Sequence, residues 1–155
     1  DIVINNAGYG IFKTVENITS SEWDNVFATN TKGTFLFCKA VIPSMKENTN
    51  GHIINIASDV AKRTFDTGSL YCASKFAQDA FSMAIRKELR PYNIKVSVVY
   101  SGLVDSSFHA DLQGSPEHIN WLRNEDMANA IVYIASQPSH VVIDELMIHP
   151  LSQDY

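Results

Sequence analysis

A chain of 155 residues, 45% hydrophobic and 19% charged, has enough apolar surface for one folded core, which excludes disordered and fibrous classes. Its formal net charge of −5, without any basic run, argues against a nucleic-acid or anionic-membrane surface and leaves small neutral or modestly polar molecules as the expected partners. No apolar run approaches the roughly 18 residues of a membrane span, and the opening DIVINNAG lacks the charged-then-apolar order of a targeting segment.

In chain order, IVINN at 2–6 is a short β-branched run ending in Ala-Gly, a buried strand that feeds a loop. Thr19 with Glu22 three residues on predicts a capping box, and a helical pattern runs from there to about Asn48, made imperfect by Gly33 and Pro43. Cys38, in that pattern, and Cys72 further on have no histidine at ligand spacing and read as reduced packing residues of a cytoplasmic protein. GHIINIAS is a second buried strand. A second helix covers Leu70 to about Arg90, where the alanine stripe Ala73, Ala77, Ala80 and Ala84 predicts a close-packed face. IKVSVVY is a third strand, followed by an irregular stretch from Ser101 to Leu122. A helix near Glu125 to Ser136 and a strand around Val141 to Ile148 close the chain. Strands and helices alternate and the strands are continuous apolar runs, so the fold class is α/β with a parallel sheet of βαβ units. Right-handed crossovers place the first two connections on one face, and runs such as VSVVY call for cover on the other face as well.

Within SLYCASKFAQ, Tyr71 and Lys75 stand one helical turn, roughly 6 Å, apart on one face. Tyrosine exchanges protons poorly near neutrality because its ordinary pKa is about 10, and an ammonium close by lowers it by about 1–3 units. Ser58 falls at the C-terminal end of the second strand, where parallel sheets bind ligands. Taken singly, Tyr71 reads as an interfacial tyrosine, Lys75 as a snorkelling lysine, Ser58 as a strand-end cap and Asn30 as a bent-helix residue bonding its own backbone. Taken together, with Tyr71 thirteen positions after Ser58, the four point to one site.

With NNAG after the first strand, Asn30, Ser58 and Tyr71-x-x-x-Lys75, the chain resembles the short-chain dehydrogenase/reductase family, NAD(P)-dependent oxidoreductases on a Rossmann-type doubly wound parallel sheet. The closing SQPSHVVIDELMIHPLSQDY is similar to the branch of bacterial serine and 3-hydroxy-acid dehydrogenases. The resemblance implies hydride transfer between a nicotinamide and an alcohol or carbonyl substrate, a small 3-hydroxy acid being one option. Tyr71 is then the proton donor or acceptor, and Ser58 a hydrogen-bond partner of the substrate oxygen. Lys75 binds the nicotinamide ribose, and Asn30 holds a water in a relay behind the lysine. Asn6, Ala7 and Gly8, a plain tight turn on their own, support the adenosine side. Val104, through its backbone, and Ser106 match the positions that meet the nicotinamide carboxamide, and Gly102, the glycine of the usual Pro-Gly, counts with them as cofactor-binding.

Two departures qualify the match. The family's first strands and Gly-rich turn, T-G-x-x-x-G-x-G, have no counterpart, so the resemblance makes residues 1–155 the C-terminal portion of a single NAD(P)-binding domain. It implies inactivity of these residues alone and an unpaired, aggregation-prone edge at IVINN. The residue that separates NAD from NADP is also missing, leaving NADP slightly favoured by family habit only. Ser101 replaces a usual proline, which predicts a looser loop. Family habit further implies a homodimer or homotetramer paired through the two long helices, with Phe35, Phe76, Phe81 and Ile85 as extra apolar positions. The alternative from another class is a non-catalytic nucleotide-sensing or interaction module on the same fold. The irregular-stretch histidines His109 and His118 read as surface residues.

Overall fold

The β-branched runs form four parallel strands in the order of the sequence: β1 Ile2–Asn5, β2 Gly51–Ile56, β3 Ile94–Ser101 and β4 Glu145–Ile148. A computed structural model describes residues 1–108 and 113–154, so His109 lies outside the described residues. The register sets Val3 beside Ile53 and Ile53 beside Val96, and at the far edge Ser101 beside Ile148. The last strand is shorter than its apolar run predicts. Residues 141–144 stay outside the ladder, although Val98 N–H still donates to Asp144 O at 3.0 Å.

Between β1 and β2, α1 (Ser20–Phe27) starts at the expected capping box on Thr19 and Glu22. The helix then widens into a π-helical segment, Ala28–Gly33, before α2 (Thr34–Glu47) resumes. The extra residue per turn rotates Asn30 inward until it is fully buried. α3 (Ser69–Leu89) joins β2 to β3, and α4 (Asn124–Ala135) joins β3 to β4.

The sheet has two differently covered faces. Cys38 of α2 and Ile85 and Leu89 of α3 pack with Ile53 and Val96. Ile134 of α4 packs with Ile54, Ile56 and Val99, residues that point the other way because strand side chains alternate. The connection through α4 therefore has the opposite hand to the connections through α2 and α3, a departure from the strong right-handed preference. The cover expected on the second face is found in part: α4 covers β2 to β4, while Ile2 and Ile4 on that face of β1 remain 49% and 46% exposed.

α3 does not pack through its alanines. Ala80 and Ala84 are exposed, and the buried face carries Tyr71, Ser74, Lys75, Gln78 and Ser82 before turning apolar at Ile85 and Leu89. Ser74, Lys75, Gln78 and Ser82 each find a partner, as burial requires. Ser82 Oγ accepts from Asn55 Nδ2 at 2.8 Å, and Asn55 Oδ1 accepts from Asn5 Nδ2 at 2.8 Å, tying α3 to β2 and β1.

On the other face His52 Nε2 lies 2.8 Å from Ser97 Oγ, and burial pushes its imidazole down to about 4. Because the folded value lies below the unfolded one of about 6.5, this contribution to stability is complete above that pH and is lost, at up to about 1.4 kcal/mol per pH unit, as pH falls toward about 4. Urea unfolding across that window is expected to show the slope in the parent chain, and His52→Leu is expected to flatten it.

Candidate active site

The C-terminal ends of β1, β2 and β3 open onto a cleft of about 810 Å³. Asn6, Gly8, Ser58, Tyr71, Lys75, Gly102, Val104 and Ser106, eight of the residues singled out from sequence, line it. Ala7 is exposed and does not line it, and Asn30 is buried behind its wall.

Asn30 acts as a clamp. Its Oδ1 accepts from Tyr9 N–H at 3.0 Å, and its Nδ2 donates to Tyr9 O and to Ser74 Oγ, both at 2.9 Å. Ser74 Oγ in turn donates to Tyr71 O at 2.8 Å. The side chain thus locks the loop after β1 to the turn of α3 that carries Tyr71, and the bond to its own helix imagined from sequence is not what holds it. Gly8 permits the approach: a Cβ there would lie 3.2 Å from Asn30 Oδ1 and 3.4 Å from Lys75 Nζ.

Ser58 caps the 3₁₀ turn Asp59–Ala61, its Oγ accepting from Val60 N–H at 3.4 Å. Its hydroxyl proton has Asp59 Oδ1 at 3.1 Å and Ser101 O at 3.3 Å within reach, and Ser58 lines the same cleft as Tyr71. The Tyr71 ring sits among Phe12 and Phe108, both at 5.5 Å between centroids, with Val60 and Cys72 beside it. That burial raises the Tyr71 hydroxyl well above its ordinary value, with the nearby Ser58 hydroxyl acting against it and the Asp59 charge adding to it. The expected lowering by Lys75 does not prevail, since the ammonium lies 5.9 Å from the ring centroid and desolvation is the larger effect. Tyr71 therefore stands protonated across the neutral range.

Lys75 is 3% exposed, donates from Nζ to Ile56 O at 2.9 Å and to Gln78 Oε1 at 3.1 Å, and is pulled down to about 8 by burial.

Several participants have no signature in the sequence. Asp59, 3% exposed beside Ser58, is closed off by Arg63, whose Nε lies at 3.0 Å, and by Gln153 Nε2 at 2.8 Å. Gln153 Oε1 also accepts from Leu103 N–H at 2.8 Å, so one amide joins the closing segment to both the serine strand and the loop after β3. A Cβ at Gly102 would fall 2.3 Å from Gln153 Oε1 and 2.6 Å from His149, so both side chains would have to shift to admit one. The looser loop predicted from Ser101 is corrected. β3 runs through Ser101, Gly102 N–H donates to Ile148 O at 2.8 Å, and Val104 pairs with Leu122. His118 is also not a surface residue: it is 3% exposed, with Nδ1 at 3.0 Å from Asp105 Oδ1 and its ring stacked on Trp121.

Asn30→Ala leaves the Tyr9 amide and carbonyl and the Ser74 hydroxyl without their partner, and is expected to cost about 1–3 kcal/mol or more in urea unfolding.

Comparison with known proteins adds a family context. The family model described as short chain dehydrogenase matches residues 1–116. An uncharacterised oxidoreductase of Staphylococcus aureus (strain MRSA252) is 34% identical over 151 residues, covering 97% of this chain and 64% of that protein. Another from Staphylococcus epidermidis is 32% identical over 151 residues, covering 97% and 65%. The chain thus spans less than two thirds of the length of these relatives. Among solved structures, the closed form of serine dehydrogenase complexed with NADP+ aligns with a TM-score of 0.92 at 30% identity, covering all of this chain and 66% of its own. An alcohol dehydrogenase from the archaeon Thermococcus sibiricus, complexed with 5-hydroxy-NADP, aligns with a TM-score of 0.92 at 28% identity, covering 100% and 65%.

Proposed function

We propose, for a chain that belongs to the short chain dehydrogenase family, that the cleft carries out NADP-dependent hydride transfer between an alcohol and its carbonyl compound. The observation that carries this reading is the meeting of Ser58, Tyr71 and Lys75 in one cleft at the C-terminal end of a parallel sheet. The NADP and 5-hydroxy-NADP held by the two aligned structures support NADP as the nucleotide.

The residues fit a nicotinamide nucleotide. Gly8 has no side chain to crowd Lys75 and Asn30, Lys75 brings an ammonium to the cleft wall, and the backbones of Gly102 and Val104 border the same space. Lys75, Val104 and Ser106 would hold the nicotinamide half, and Asn6, Ala7 and Gly8 the adenosine side. The bound nucleotide supplies or accepts the hydride. On this reading the chain's own residues manage the proton and the substrate oxygen. Ser58 donates to the oxygen and orients it, and Tyr71, kept protonated by burial, delivers its hydroxyl proton to a carbonyl oxygen, whereas the reverse step, taking the proton of an alcohol, runs from the tyrosinate form. Asn30 acts from behind the wall through its clamp on Tyr9 and Ser74 and through its backbone carbonyl. The likeness to a serine dehydrogenase supports a small 3-hydroxy acid as substrate, and Arg63 is, with Lys75, a cationic side chain lining the cleft that could face a carboxylate. We read residues 1–155 as one portion of a single NAD(P)-binding domain, supported by coverage of 64–66% of the relatives compared.

Assembly enters as a proposal too. Phe35, Leu36 and Phe37 of α2 and Phe76 and Met83 of α3 are 39–63% exposed, an apolar surface on the two helices that a two-fold copy would cover. Ile85, counted from sequence among the docking positions, belongs instead to the core at 5% exposure, and Phe81 packs against that core.

In the full-length protein that carries this portion, Tyr71→Phe is expected to lower turnover by about 10²–10⁴ while leaving NADP affinity nearly intact, since only the transferable proton is removed. Lys75→Ala is expected to impair both. Steady-state rates beside calorimetric titration with NADP(H) decide this, and near-normal turnover by Tyr71→Phe would refute the assignment. Light scattering at micromolar concentration is expected to show a dimer or tetramer, and a Phe37→Glu variant is expected to shift it toward monomer.

A further inference from the structure

We propose that Gln78 is a positioning residue for Lys75: its amide holds the lysine ammonium against the cleft wall and couples it, through Thr34, to the backbone of Asn30. Gln78 is fully buried on the face of α3 that meets the π-helical segment and α2. A buried amide is costly unless it is bonded at both ends, and this one is. The direction of every bond is determined. The Lys75 ammonium can only donate, so the atom 3.1 Å from Nζ is the Gln78 carbonyl oxygen. The amide nitrogen then faces Thr34 Oγ1 at 3.0 Å and donates to it, which leaves the threonine proton for Asn30 O, also at 3.0 Å. The result is a one-way chain from cleft to π segment: ammonium to glutamine oxygen, glutamine nitrogen to threonine, threonine to the Asn30 carbonyl.

The chain links groups that must move together if the cleft is to keep its shape. The side chain of Asn30 clamps Tyr9 and Ser74 on one side, and its carbonyl closes the glutamine chain on the other. Lys75 thereby has two acceptors on different elements, Ile56 O at the end of β2 and Gln78 one turn along its own helix. An acceptor bonded to the ammonium favours its charged form, and in a wall that pulls the lysine down to about 8 this decides how much of it is charged near neutrality. The other titratable groups around Lys75 are engaged elsewhere or neutral. Tyr71 on the same helix is protonated, and Tyr9 lines the cleft from the loop after β1. Asp59 beyond β2 is bonded to Arg63 and Gln153, and Asp79 to Lys62 and Tyr100. Among the described residues, then, the glutamine oxygen and the Ile56 carbonyl are the acceptors given to the ammonium.

The consequence for turnover rests on the hydride-transfer reading, whereas the effect on the lysine itself does not. The test is an NMR pH titration of Lys75 in the purified chain carrying carbon-13 lysine, its signal assigned with Lys75→Met. Gln78→Met is expected to lower the Lys75 midpoint by about one pH unit, and Gln78→Glu, which puts a carboxylate on the ammonium, to raise it by at least as much. Thr34→Val, which removes the group that aims the amide, is expected to give a smaller lowering. If Gln78→Met does not fold, the near-isosteric Gln78→Glu still decides: a raised midpoint supports the proposal and an unmoved one overturns it. Midpoints unmoved in both Gln78 variants, with only thermal stability reduced, would make Gln78 mere glue between α2 and α3. In a parallel assay the pH profile of turnover is expected to move with the titration. Absence of turnover in a full-length protein that carries this portion would count against hydride transfer, while the titration would still judge the role of Gln78.

Discussion

The burial of one ammonium organises this molecule. Lys75 is carried into the wall of the cleft by a helix that lies against the sheet, and an ion so placed needs acceptors or must give up its proton. Ile56 supplies one from the end of β2, where the strand has run out of neighbours to bond, and Gln78 supplies another. Once a glutamine is buried it needs a partner of its own, and Thr34 needs the Asn30 carbonyl after it. That requirement fits the widened turn at Ala28–Gly33, since a π segment turns Asn30 inward.

The same logic runs down α3. Ser74, Gln78 and Ser82 form a polar seam under the sheet, bonded to Asn30, Thr34 and Asn55 in turn. Such a seam contributes less to stability than an apolar one of equal size and specifies more, because amides and hydroxyls demand partners at defined distances and angles. It sets the rotation of α3 about its axis and so aims Tyr71 at the cleft. The apolar half of the helix, Ile85 and Leu89 against Ile53 and Val96, anchors the far end without that precision. On the opposite face α4 packs through Ile134 with Ile54, Ile56 and Val99, and its reversed hand puts cover where the other two connections provide none.

At the mouth of the cleft, closure is built from contacts distant in the chain. Gln153 reaches Asp59 and Leu103 at once, Gly102 leaves room for it, and the Asp105–His118 pair holds the loop after β3 from a buried position. Phe12 and Phe108 flank the Tyr71 ring and exclude water from it. The tyrosine is thereby held in its protonated form, an effect opposite in sign to that expected from the lysine spacing alone.

Much of the fold was legible in the residues. β-branched runs marked the strands, Thr19 and Glu22 marked a helix start, and the Tyr71-x-x-x-Lys75 spacing with Ser58 at a strand end marked the site, because these signals act within a few residues of one another or through simple periodicity. The misreadings share one cause. Alanine spacing suggested a packing face on α3, yet the sheet took the polar face instead, since Asn5, Asn55 and Thr34 wait there with matching donors and acceptors. Ile85 was placed on the outside by the same one-dimensional reading. Gln78, Asp59 and Gln153 do not stand out locally, because beside the near partners Lys75 and Arg63 they bond groups on other elements, up to 94 residues away. Sequence by itself therefore determined which segments are strands and helices and which residue types could do the chemistry. Tertiary structure alone decided which polar groups are buried together, and with that the charge on Lys75 and the proton on Tyr71, because desolvation and hydrogen bonding depend on what surrounds an atom in space and not on what precedes it in the chain.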